Sequence, residues 1–520
     1  MTFESEAKPT SLGPPDRLAP ALQLGSQTFY VLLGSIFTAV VGFPLQIYVS
    51  RTLGANGLGI YSLIEGGIAI FTGFLGFGIA QSLVRFIPFY LERREYGCIR
   101  DLIGRGSIVL LAVGAVGYLL VLGSLRWAGQ LFPDVATYKA MIALMGALIP
   151  LGLISFFVQQ GLRGFQDIRY MVLGSSVFQL SFKAGLTVAA FAVGLGLYGY
   201  GLATVVSTLF GILWMAWGLR GKLQGLPKAP AGSSVSDRME WYRFATIFYA
   251  TNVMGGSSTY LDRFMLAYFS DVRSVGIFMI ARQLQQLPAT FNQMLLIVGA
   301  PMFAAAHGRA DAPERQRVFY LMTDWVVRAS LPLIIFLTLF ARPLLGLYGQ
   351  DFADGGTEIL LIMLGGQVIN IGFGPIGNVV LMSGLERYTL RVSAASTLLS
   401  VALTIVLIPF FGTIGAAISV AVSWVFVNVC LMIVARRHLA FGWWDRRYFG
   451  WLIPSVAALT FDLVCLEFGY GSGAVQLIIV VTATYGVFFA ANLLEGLHQD
   501  DKELLRHLAG EMLVNRGAKT

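Results

Sequence analysis

Charge is scarce in this chain. Of its 520 residues only 12% are Asp, Glu, Lys or Arg, 56% are hydrophobic, and the mean hydropathy is +0.72. A soluble domain carries roughly 25% charged residues, so a water-facing exterior is excluded over most of the chain and a lipid-facing one is implied. Cysteine is scarce too. Cys98, Cys430 and Cys465 lie far apart, without the spacing of a disulfide framework or a zinc site. The four histidines (His307, His438, His498, His507) fall in expected cytoplasmic segments. No Ser/His/Asp arrangement, phosphate-binding glycine loop or paired-carboxylate constellation occurs, so neither an enzyme nor a metal site is expected. Residues 1–26 are rich in Pro, Ser and charge, lack the apolar core of a signal peptide, and read as a cytoplasmic tail.

Long apolar runs are what the chain has in abundance. A crossing helix needs roughly 20 mostly apolar residues. Fourteen stretches qualify, at about 27–49, 57–80, 104–125, 140–162, 170–192, 196–219, 243–268, 274–298, 320–341, 357–382, 389–410, 413–435, 448–468 and 474–494. The expected fold is an all-α polytopic membrane protein. Six spans make an N-lobe (27–219), a cytoplasmic linker follows (220–242), and six spans make a C-lobe (243–435). Spans 13 and 14 occupy 436–494. The tail 495–520 has Leu497, Leu504, Leu505, Leu508 and Met512 at helical spacing, which suits an amphipathic helix on the inner membrane surface. Lys and Arg concentrate in alternate loops, while the opposite side holds only Arg51, Arg126, Lys139, Arg263, Arg273 and Arg342. The positive-inside rule then puts both termini in the cytoplasm. The net charge of +8 is accounted for by anionic lipid headgroups and needs no nucleic acid.

The two six-span blocks echo one another. "NGLGIYSLIEGG" near span two aligns with "VRSVGIFMIARQL" near span eight, setting Gly59 on Gly276 and Glu65 on Arg282. "GLRGFQD" and "LMSGLER" make a weaker second echo, each followed later by a Gly-rich turn, "GYGLATVVS" and "GTIGAAISV". Their matching order points to a duplication. With an even number of spans per repeat, the pseudo-two-fold axis runs along the membrane normal and substrate is expected between the halves.

"TYLDRFMLAYFSDVRSVGIFMIARQLQQLP" (Thr259 to Pro288), "YVSRTLGANGLGIYSLIEGG" and "IPFFGTIGAAISVAVSWVFV" (Ile408 to Val427) resemble polysaccharide-transporter flippases, the Wzx-like branch of the multidrug/oligosaccharidyl-lipid/polysaccharide exporter superfamily. The resemblance covers about residues 25–495. It implies a V-shaped transporter of two six-helix lobes in the bacterial cytoplasmic membrane. Such a protein moves an undecaprenyl-pyrophosphate-linked oligosaccharide to the outer leaflet by alternating access, for surface polysaccharide biosynthesis. The implied partners are the lipid-linked oligosaccharide, the bilayer, and polysaccharide polymerase or export proteins. No cofactor is implied, and coupling to a proton or sodium gradient is left open.

Ionisable residues inside spans are functional candidates, because burying them in hydrocarbon is costly. Lys183 in span five is a candidate pyrophosphate ligand, or a lysine reaching the outer interface. Arg282 in span eight is a candidate phosphate ligand through its planar guanidinium, or the partner of Asp262 or Glu65 in an ion pair. Asp262 and Arg263 sit near the outer end of span seven, as an interfacial pair or as substrate and coupling groups. Glu65 and Arg282 are proposed halves of a gate. Asp324 and Arg328, four apart on one helix face, read as a local salt bridge. Span ten, "LGGQVINIGFGPIGNVVLMSG", carries Gly374 and Pro375 as a candidate hinge, and Gln367, Asn370 and Asn378 as groups for sugar hydroxyls. The glycines of span two read as serving close packing.

Two readings within the superfamily compete. A cation-coupled multidrug exporter normally has twelve spans and binds organic cations through carboxylates. A peptidoglycan-precursor flippase has fourteen but is expected to carry basic residues in its first spans, where this chain has none before Arg51. A glycan polymerase or glycosyltransferase would show large outer loops, and a purely structural membrane protein would not explain the buried charges.

Overall fold

Two glycines each turn one long helix into a pair. Helix Pro14–Leu75 leaves helical geometry at Gly54 (φ 67°), and helix Glu386–Leu439 does so at Gly412 (φ 53°). Glycine takes positive φ freely because it has no Cβ to clash. Each break falls between two apolar runs read as separate spans, the first with the second and the eleventh with the twelfth.

The computed structural model describes residues 14–76, 78–131, 138–227, 258–308, 312–439, 441–442, 450–471 and 473–495. The expected amphipathic tail beyond Glu495, the start of the N-terminal tail and residues 228–242 of the linker lie outside them. Among the described residues every regular element is a helix, and nine helices are long and apolar enough to cross a membrane. Helices Ser258–Phe269, Val272–Gly308 and Leu452–Glu467 fall on the seventh, eighth and thirteenth expected stretches. One segment read only as a loop is a helix: Ile79–Glu92, between spans two and three. Ile79, Ala80, Leu83, Phe86, Ile87 and Tyr90 recur every three or four residues and are buried, so this helix hides one face against its neighbours.

The chain divides into two compact units. The first comprises Met1–Tyr48, Gly67–Gln130 and Ala136–Asn252. Its core joins Leu83, Ile99, Phe157, Leu162 and Met215 from helices Ile79–Glu92, Tyr96–Leu131, Leu148–Gly164 and Gly196–Gln224. Lipid gives apolar helices no reason to prefer each other, so close approach through small residues must supply the contact. Gly164 does this: a Cβ there would sit 2.8 Å from the Leu83 carbonyl oxygen. The turn before Ile168 is held by Asp167, which accepts two hydrogen bonds from Arg169 (both 3.0 Å) and pairs with Lys222 at 2.7 Å. Arg100 donates to the carbonyls of Leu223 and Leu226 (3.3 and 2.8 Å), at and just beyond the end of helix Gly196–Gln224. Within span five, Leu173–Phe178 widens into a π-helical turn before the helix resumes at Gln179.

The second unit comprises Val49–Gly66, Leu131–Val135 and Val253–Thr520. It therefore includes a segment of the first sequence half. Phe303, Phe319, Val380, Leu431 and Phe441 lie in its core. Helix Gln350–Gly372 packs on Glu386–Leu439 through Gly366, where a Cβ would lie 2.9 Å from Ala421 Cα. Span ten is broken. Its helix stops after Gly372, passes Gly374 at φ 56° and Pro375, and restarts as Ile376–Met382. Helices Leu452–Glu467 and Ala474–Glu495 pack on each other and on Ala312–Leu339.

Candidate functional site

Four charges gather within the second unit. Arg282 on helix Val272–Gly308 pairs with Asp262 on helix Ser258–Phe269, and both side chains are nearly buried. Residues 270–271 connect the two helices, and the two side chains lie at similar depths on either side of that turn. Arg263, the next residue, hydrogen-bonds the Ser62 hydroxyl at 3.1 Å and stands 3.9 Å from the half-exposed Glu65 carboxylate. Its guanidinium also lies 4.9 Å from the Tyr260 ring centre. The cluster thus balances two cations against two anions. Burying such charges is tolerable only because they are paired, since an isolated buried ion costs several kcal/mol.

Asp262 and Arg282 stand in the wall of a cleft of about 410 Å³. The rest of the wall is mostly neutral and polar. Asn292 comes from helix Val272–Gly308, Asn370 from Gln350–Gly372, and Asn378 from the restarted half of span ten. Ser400, Trp424 and Asn428 come from Glu386–Leu439, and Gly374 and Pro375 line the cleft as well. A chain of amides stiffens one side. Asn428 donates to Asn370 (2.9 Å), Asn370 donates to Gln367 (3.4 Å), and Gln285 also donates to Gln367 (2.9 Å).

The candidates read from sequence are distributed as follows. Arg282 and Asp262 face the cleft together with Asn370, Asn378, Gly374 and Pro375. Gln367 is fully buried behind Asn370 and reaches the cleft only through it. Glu65 and Arg263 stand outside the lining. The repeat alignment paired Glu65 with Arg282, whereas the structure gives Arg282 to Asp262 and leaves Glu65 near Arg263. Lys183 belongs to the first unit, where its ammonium lies 4.7 Å from the Tyr200 ring centre. Arg328 and Asp324 form an ion pair at 2.9 Å, and Asp324 also accepts from the Trp451 indole at 2.7 Å. Of the span-two glycines, Gly66 packs on Tyr260 and Phe264, while a Cβ on Gly73 would meet nothing within 4 Å.

Three features escaped sequence reading. Trp424 leaves the hydropathy pattern of its apolar run intact, and Asn428 is a lone amide within that run. Asp462 breaks the pattern of its own run: this carboxylate in the thirteenth span is fully buried and accepts the Thr484 hydroxyl at 2.5 Å. The criterion that singled out Lys183, an ionisable residue within a span, applies to Asp462 as well.

Apolar helices broken by glycine and proline around a polar, charge-paired cleft define a polytopic, all-helical membrane protein. The chain belongs to the family described as "Polysaccharide biosynthesis protein", which matches residues 24–307. It is 21% identical over 416 residues to the probable low-salt glycan biosynthesis flippase Agl15 of Haloferax volcanii, covering 79% of this chain and 83% of that protein. Its fold is similar to the lipid II flippase MurJ in an inward closed conformation (TM-score 0.66, 14% identity, 88% of this chain and 98% of that one). It is also similar to an inward-facing multidrug resistance MATE family transporter of the MOP superfamily (TM-score 0.63, 15% identity, 78% of this chain and 94% of that one). The family and the fold agree with the resemblance drawn from Thr259–Pro288 and its companion segments.

Proposed function

We propose that the chain is a flippase of glycan biosynthesis. It carries a polyprenyl-pyrophosphate-linked oligosaccharide, undecaprenyl-linked in a bacterial inner membrane, from the cytoplasmic to the outer leaflet by alternating access. The observation that carries this reading is the polar cleft inside a unit whose exposed faces are apolar, with Leu398, Phe410 and Val422 among the exposed side chains. A glycan headgroup needs a hydrated, hydrogen-bonding path, while its lipid tail stays in hydrocarbon. An exporter of organic cations would need an acid free to meet its cargo, but Asp262, the one acid among the cleft's lining residues, is already engaged by Arg282.

In this proposal the Asp262–Arg282 and Glu65–Arg263 pairs are contacts that exchange between inward- and outward-open states, which is how a charge cluster biases a two-state equilibrium. The break at Gly374–Pro375 is the hinge, and Lys183 meets the pyrophosphate. Fourteen crossings with cytoplasmic termini complete the topology. The test is lipid analysis of a deletion strain. Lipid-linked glycan is expected to accumulate on the cytoplasmic face. Unchanged intermediates with increased drug sensitivity would overturn the proposal.

A further inference from the structure

We infer that the cleft of the second unit is a sugar-binding site that takes uncharged rings of the glycan, leaving the pyrophosphate elsewhere. This rests on the flippase reading and assigns the part of the substrate that this cleft holds.

Charge comes first. The cleft's lining residues include one cation and one anion, Arg282 and Asp262, joined to each other. A pyrophosphate drawn to Arg282 would compete with Asp262 for the guanidinium and bring its negative charge against that nearly buried carboxylate, which is unfavourable. A neutral polyol carries no such penalty.

The wall chemistry then fits hydroxyls. Each carboxamide presents a donor and an acceptor side by side in one plane, matching adjacent hydroxyls that both give and take hydrogen bonds. Asn378 offers this pattern, Asn370 keeps one N–H and one acceptor lone pair beyond the amide chain, and Asn428, whose two N–H groups go to Asn370 and Trp424, adds an acceptor oxygen. Asn370 and Asn428 are already oriented by the amide chain through Gln367 and Gln285, so little side-chain freedom is lost on binding.

Shape and aromatic surface complete the match. Trp424, half-buried in the wall, supplies an apolar plane for the C–H face of a pyranose, and its backbone carbonyl fixes Asn428 at 2.9 Å. The volume lies within the range of about 300–1,000 Å³ typical of small-ligand pockets, enough for a short stretch of glycan.

The experiment is saturation-transfer NMR on the purified full-length protein with a panel of neutral methyl glycosides (hexoses, N-acetylhexosamines and deoxyhexoses). Expected is transfer to ring C–H protons of at least one glycoside, no competition by inorganic pyrophosphate, and affinity weakened about fivefold or more by Trp424→Ala, with Trp424→Phe retaining it. Absence of transfer from every glycoside, competition by pyrophosphate, or unchanged affinity in Trp424→Ala would overturn the inference. The deletion phenotype reads out separately. Accumulated lipid-linked glycan without sugar binding defeats only this assignment, and sugar binding without accumulation defeats only the flippase.

Discussion

Gly59 and Gly276 interlock reciprocally. A Cβ on Gly59 would overlap the carbonyl oxygen of Val272, four residues before Gly276, and a Cβ on Gly276 would overlap that of Ala55, four residues before Gly59. The same two glycines align in the internal repeat. Each lets the other's backbone approach, so the crossing has the local two-fold character expected of equivalent halves of a duplicated chain.

Filling that crossing should be costly. Gly59→Val and Gly276→Val are each expected to destabilise the detergent-solubilised protein by about 1–3 kcal/mol or more, because backbone atoms cannot move aside as a flexible side chain can. Gly73→Ala, in the same helix as Gly59 but facing nothing within 4 Å, should be neutral or slightly stabilising. Melting midpoints by fluorescence-detected size exclusion decide this. Equal melting of Gly73→Ala and Gly59→Val would contradict the interlock.

This crossing marks how far the sequence could be read. Apolar runs, the Gly-rich turn that contains Gly412, and the span-ten breakers are local signals, written in composition and backbone freedom, and they recover most of the helices. Partner choice is not local. The repeat aligned Glu65 with Arg282, yet Asp262 is nearer in the chain, on the hairpin partner of Arg282's own helix, and takes the guanidinium. The amide wall was half visible, as Asn370 and Asn378 in a segment full of breakers. Asn428 and Trp424 acquire meaning only when their helix is packed against that segment.

Asp167 sets a pH dependence outside the spans. Burial opposes ionisation of its carboxyl, but the hydrogen bonds and charges of Arg169 and Lys222 outweigh this and hold it below the usual aspartate range. A depressed folded value means that its stabilisation is complete above the unfolded pKa, near 3.9, and is lost as pH falls through the folded value. Asp167→Asn should therefore be less stable than wild type at pH 6, by about 1–2 kcal/mol for the weakened charged hydrogen bonds. The gap should close as pH drops below 4. Paired thermal melts across that range check it, and a gap independent of pH would refute the assignment.

The break in span ten can be tested without unfolding it. Gly374 combines a positive φ with contact against the Thr323 side chain, so Gly374→Ala should lower stability outright. Pro375→Ala restores a backbone N–H and is expected to leave expression unchanged while slowing glycan translocation, because a straighter span ten would bend less readily. If Pro375→Ala transports at the wild-type rate and shows unchanged inward–outward exchange by spin-label distance measurement, this position is not the hinge.

The Asp262–Arg282 pair separates folding from function. Removing one partner leaves a nearly buried charge, so Arg282→Gln and Asp262→Asn should lose stability in unequal measure, the former by about 3–5 kcal/mol because an ionised carboxylate remains. Replacing both at once, as Asp262→Leu with Arg282→Met, removes the need for pairing and should return expression and melting close to wild type. Under the proposed exchange of partners transport should not return, because an apolar contact cannot trade one charged partner for another. Reversing the charges, Asp262→Arg with Arg282→Asp, keeps a pair and should recover more translocation than either single reversal retains. Translocation by the apolar double variant at the wild-type rate would mean that the pair serves the fold alone.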